Sequence, residues 1–116
     1  MKPNTKWIEN WKIGENNSKE ETLGKEFVQI FQDFWKKSNL ENKSKTTQNR
    51  YSGSLHALGG YLVEKGIYED KKMNSEELLF EHLTEYDGPL IHYNNEDWQN
   101  ELDMVSRKLY KFIKKS

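Results

Sequence analysis

Apolar side chains recur at intervals of three and four in four stretches of the chain, and none reads convincingly as a strand. In the first stretch Leu23, Phe27, Ile30, Phe31 and Phe34 share a helical face that Trp35 widens. Ser18 with Glu21 has capping-box spacing, so this helix is expected to start near Ser18 and end at Lys37 or Ser38. Gly24 weakens its first turns, Lys36 and Lys37 suit its negative end, and Asn39 to Lys43 reads as a polar connector. The second helix is expected from Ser44 or Thr46, with Tyr51, Leu55, Leu58 and Leu62 as its stripe and Gly66 as its stop. Ile67 to Lys72 follows as a short charged link.

A third helix is signalled by Asn74 and Glu77 in cap spacing, followed by Leu78, Leu79, Leu83 and Tyr86. Asp87-Gly88-Pro89 breaks it, through a glycine free to take positive φ and a proline unable to continue a helix. Leu90, Ile91 and Tyr93 form a short apolar crossing segment. The fourth helix starts around Asn94 or Asn95, with Glu96 and Asp97 at its positive end. Trp98, Leu102, Val105, Leu109, Phe112 and Ile113 make its amphipathic face. The expected fold is all-α, a small bundle of four main helices in one domain over residues 18–116. Residues 1–17 form a partly ordered lead, in which Trp7 and Trp11 share a face that covers a core edge or docks a partner.

Composition pulls two ways. Only 34 % of the 116 residues are hydrophobic, yet 13 % are aromatic. Large aromatic side chains build a core that a mean hydropathy of −1.07 conceals. Cysteine is absent, which removes disulfides and thiolate metal sites. No signal-peptide pattern or membrane-length apolar run is present, so a soluble cytoplasmic protein is expected. The net charge of −1 is unevenly spread: residues 64–103 carry three lysines against twelve acids, and residues 104–116 five bases and no acid. Either these are solvated helix surfaces, or the module is dipolar and offers a basic face to an acidic partner.

Gly53, Ala57 and Gly60 lie at steps of four and three, on the side of the second helix away from Tyr51. Glycine inside a helix costs about 1 kcal/mol against alanine, so close approach of another element is expected to offset it. That element is another helix of the same chain, a phosphate backbone, a partner protein or a second copy.

Catalytic chemistry finds little support. His56, His82 and His92 are scattered without metal-ligand spacing. Glu76, Glu77, Glu81 and Glu85 read as a solvated helix face, and no P-loop, GxGxxG or GxSxG is present. No cofactor or metal is expected, and the chain is read as a non-enzyme.

The run Phe27–Lys37, the link Asn42–Thr47, then Tyr51, Leu55, Leu58 and Leu62 resembles the core-binding domain of phage-integrase tyrosine recombinases. That resemblance implies a SAM-like helical bundle that clamps duplex DNA. The implied contacts are Lys36, Lys37, Lys43, Lys45, Thr46, Thr47, Gln48 and Arg50. The backbone, hydroxyls and lysines would hold phosphate, and Gln48 and Arg50 would reach base edges. The alternative is that Ser44 or Thr46 only caps the helix and the bases are solvated. With Arg50 and Arg107 as its two arginines, the chain is expected to grip DNA without cleaving it. Ser44–Thr47, Leu55–Gly60, Asp87–Leu90 and Lys108–Tyr110 also resemble small free-standing bacterial proteins, a likeness that implies no activity. The competing expectation is a protein-interaction or structural domain that docks through Gly53, Ala57 and Gly60 or through Trp7 and Trp11.

Overall fold

Phe27, Phe31 and Phe34 of one helix and Leu55, Leu58 and Leu62 of the next are each at most 1 % exposed and belong to one hydrophobic core. Burying each contributes roughly 1.5–3 kcal/mol. The computed structural model describes residues 2–68 and 74–115. Its helices are α1 (Trp7–Trp11), α2 (Asn17–Lys37), α3 (Lys45–Tyr68), α4 (Ser75–His82) and α5 (Glu96–Lys114), with a 3-10 turn at Leu40–Asn42. No strand occurs among the described residues, and the protein is a small all-α bundle. α3 is the hub: α1, α2, α4 and α5 all pack on it.

The helix starts follow side-chain caps. Ser44 Oγ accepts the Thr47 N–H at 3.2 Å, Asn95 accepts that of Trp98 at 3.1 Å, and Asn74 with Glu77 closes a full capping box. α2 departs from expectation. Its cap is Asn16, whose side chain accepts the Lys19 N–H at 3.1 Å, and Ser18 lies inside the helix. Glu20 explains the earlier start. Its buried carboxylate accepts N–H groups from Ile13, Gly14 and Asn16, which folds the preceding loop back onto the first turn. Burial pushes this carboxyl up, but the backbone donors outweigh burial and hold it below the usual carboxylate range.

Gly66 does not stop α3, which runs on to Tyr68. Gly66 is buried where α2, α3 and α4 meet, and a Cβ there would lie 2.7 Å from Leu23 and 3.1 Å from Leu78. The expected link after it therefore loses Ile67 and Tyr68 to the helix, and its remainder lies outside the described residues. α4 ends at His82, so Leu83 is a buried cap residue and Tyr86 stands in solvent. Gly88 has no positive φ; it is glycine because Ser106 of α5 occupies the space a side chain would need. Asn39 to Lys43 is not wholly polar in role, since Leu40 is buried in the core.

α1 sits across α2 and α3 on two glycines. Ile8 lies where Gly24 of α2 lacks a side chain, and the Trp11 ring lies over Gly59 with its edge at Gly60. Trp7, Ile8 and Trp11 are all buried, and the Trp11 indole donates to the His56 carbonyl at 2.9 Å. The close approach expected on the small-residue face is thus intramolecular at Gly60, centres on Gly59, and does not extend to Gly53, which has open space above it.

Candidate nucleic-acid interface

The residues expected around the start of α3 divide into those used internally and those left in solvent. Thr47 is held by the Ser44 cap through its N–H, and its hydroxyl accepts from Ser44 Oγ at 3.0 Å. Gln48 turns back to the α2–α3 link, donating to the carbonyls of Glu41 at 3.2 Å and Lys43 at 3.0 Å. Arg50 reaches across to α5 and pairs with Glu101 at 3.3 Å. The two side chains expected to reach base edges therefore already have partners in the fold. Lys43, Lys45 and Thr46 are exposed.

Lys36 and Lys37 diverge at the end of α2. Lys36 faces a cleft of about 440 Å³ beside Lys2, Trp35 and Glu41, where the Trp35 indole donates to Glu41 at 2.9 Å. Lys37 turns the other way and meets the end of α5. There Lys37, Lys108, Lys111 and Lys115 line one open groove of about 380 Å³ whose floor includes Phe34 and Phe112.

The helix crossing makes this groove. Phe34 near the end of α2 packs edge-on against Phe112 near the end of α5, with ring centroids 5.7 Å apart. Two helix C-termini therefore finish side by side, and each bears lysines in its last turns. The negative ends of both helix dipoles favour cations there. Lys108 also sits over the Tyr51 ring at 5.8 Å, which joins the groove to the first turns of α3. Among the described residues none of these four lysines has a carboxylate within ion-pair distance. Glu85 lines an adjoining cleft with Lys111, Lys114 and Lys115 without forming an ion pair.

In the sequence the C-terminal lysines show only as part of the base-rich, acid-free stretch 104–116. What the sequence did not reveal is that Lys37, more than 70 positions earlier, joins them. That juxtaposition depends on where α2 crosses α5, which no local spacing encodes. Trp98 was expected on the buried face of α5 and is instead 59 % exposed.

No group of three or more His, Asp or Glu among the described residues is placed to hold a metal ion. No helix among them is long and apolar enough to cross a membrane. No known protein family, curated protein or solved structure matches the chain.

Proposed function

We propose that this protein is a non-catalytic module that associates with duplex DNA through the phosphate backbone. The observation that carries the reading is the convergence of Lys37, Lys108, Lys111 and Lys115 on one groove, with no acid paired to any of them among the described residues. Four like charges brought together repel one another, and a polyanion relieves that repulsion while releasing its own counterions. Lysine is a point charge on a flexible stem, suited to phosphate oxygen and poor at reading base edges. The binding is therefore expected to be insensitive to sequence. Lys43 and Lys45 are exposed before and at the start of α3, and the integrase resemblance implies them as further phosphate contacts.

The test is fluorescence anisotropy on a mixed-sequence duplex at two salt concentrations. Wild type is compared with Lys37→Ala/Lys108→Ala/Lys111→Ala/Lys115→Ala and with Lys43→Ala/Lys45→Ala/Arg50→Ala. Each phosphate neutralised steepens the fall of log affinity with log salt by about 0.9. The groove variant should lose binding and flatten that slope, and the α3 variant should lose less because Arg50 already serves Glu101. Absence of binding by wild type at low salt would overturn the reading.

A further inference from the structure

The connector between α4 and α5 turns its largest side chains outward. Leu90 is 66 % exposed and Tyr93 75 %, and Trp98 follows on the first turn of α5 at 59 %. Trp7, Trp11 and Trp35 by contrast are each at most 5 % exposed. The backbone beneath this surface is firmly held. Gln99 Oε1 accepts the N–H groups of Ile91 at 3.0 Å and His92 at 2.8 Å, while its amide donates to the Pro89 carbonyl at 3.0 Å. Asp103 accepts the Gly88 N–H at 3.2 Å and the Gln99 amide at 3.0 Å. Aromatics displayed on a backbone already ordered lose less entropy when a partner covers them.

Trp98 and His92 meet edge-on, ring centroids 5.6 Å apart, and stand between two clefts. One, of about 250 Å³, is lined by Arg50, Gly53 and Glu101; the other, of about 230 Å³, by Ile91 and Tyr93. Gly53 is informative here. Gly24, Gly59 and Gly66 each make room for a side chain of this chain, but a Cβ at position 53 would meet nothing within 4 Å. A helix glycine at a cost of about 1 kcal/mol, with no internal contact to require it, borders a cleft beside an exposed indole.

Charge chooses the occupant. Glu96 and Asp97, both exposed, immediately precede Trp98, while Glu101 one turn later is already paired with Arg50, the one base that lines the cleft. A nucleic acid would bring phosphate against those carboxylates. A cation is favoured by them and by the indole face. From Trp98 to Lys108, the nearest lysine of the groove on α5, is about 15 Å along the helix, and the two surfaces share no lining residue.

We propose that Trp98, His92 and Tyr93 form a docking surface for a basic polypeptide segment, which lays an apolar side chain beside Trp98 above Gly53 and sets lysine or arginine against Glu96 and Asp97. This goes beyond DNA association and does not depend on it.

The test uses the whole protein and two synthetic peptides, one of leucine and lysine and its leucine–glutamate counterpart. Trp98 supplies the solvent-accessible tryptophan, so acrylamide quenching reports on it. The lysine peptide should shift emission to the blue and protect Trp98 from the quencher, and added salt should reverse both. With the peptide labelled instead, Trp98→Ala should weaken binding at least tenfold, Gly53→Leu should weaken it by filling the cleft, and Glu96→Gln/Asp97→Asn should remove the salt dependence. Unchanged quenching with the lysine peptide, equal binding of the glutamate peptide, or wild-type affinity in Trp98→Ala would each overturn the proposal. So would protection that rises with protein concentration and no peptide, since the occupant would then be a second copy of the chain.

Discussion

The Trp11 ring lies over Gly59 so closely that a single methyl group at position 59 would overlap the indole. The ring has little freedom to retreat, being buried and tied through its N–H to the His56 carbonyl. Overpacking a core position costs roughly 1–3 kcal/mol, which exceeds the helix-propensity gain of about 1 kcal/mol. Gly59→Ala should therefore destabilise the protein in urea unfolding. Gly53→Ala has no such obstacle and should stabilise it by up to about 1 kcal/mol. Equal effects at the two positions would refute the seating of α1 described above.

Two titratable groups hold the N-terminal segment, and both favour it at neutral pH. Glu20 has a carboxyl held below its ordinary value, so its contribution is complete above about pH 4.3 and is lost as pH falls through the folded value. His56, whose ring bonds Asn10 at 3.1 Å and packs on Trp7, is pushed down by burial. The folded protein thus binds fewer protons than the unfolded chain, and stability begins to drop as pH falls below about 6.5. A stability-against-pH curve should decline towards acid in two limbs. Glu20→Gln should lower the neutral plateau and flatten the more acidic limb, and His56→Gln should remove the limb nearer neutrality.

Gln99 is the brace of the α4–α5 connector. Gln99→Ala should leave the helix content unchanged by far-UV circular dichroism, because its backbone hydrogen bonds within α5 remain. Hydrogen exchange at the Ile91 and His92 amides should accelerate, since both lose their acceptor. Protection retained at both amides would mean that the connector is held by packing alone.

The lysine groove should cost stability in the absence of a polyanion. Lys111→Gln is expected to raise the melting temperature at low salt by relieving repulsion from Lys108 and Lys115, with the difference vanishing at high salt. A lower melting temperature at both salt levels would show instead that the Lys111 stem contributes by packing.

The sequence made the long helices legible because their apolar spacing is strong and their caps are local. The Asn74–Glu77 box and the Asn95 cap sit where the pattern places them. The start of α2 shifted through a local fold-back that Glu20 holds, whereas the end of α3 shifted through packing with other helices. Gly66 reads as a stop by composition, yet it is a packing point for Leu23 and Leu78. Trp98 fits the helical period of α5, yet it stands exposed at the edge of an open cleft, with the neighbouring His92 ring edge-on to it. The small-residue face was visible as a type of feature but was misplaced by one residue, because Gly59 and Gly60 cannot be ranked until Trp11 has a position. The charge segregation was plain in the sequence; the meeting of Lys37 with the end of α5 was not.

A five-residue helix cannot persist in water on its own, so α1 exists only while Gly24 and Gly59 offer it a seat. Its departure need not unravel α2 or α3, whose own hydrogen bonds and mutual contacts survive it. The earliest partly unfolded form of this protein is then one in which residues 2–16 have lifted away and left an apolar slot between two intact helices. That form is vulnerable to a protease cutting near Gly14 and to association through the uncovered slot. A ligand that filled the slot would compete with the protein's own first turn of helix, and would register as a loss of the Trp7–Trp11 edge contact.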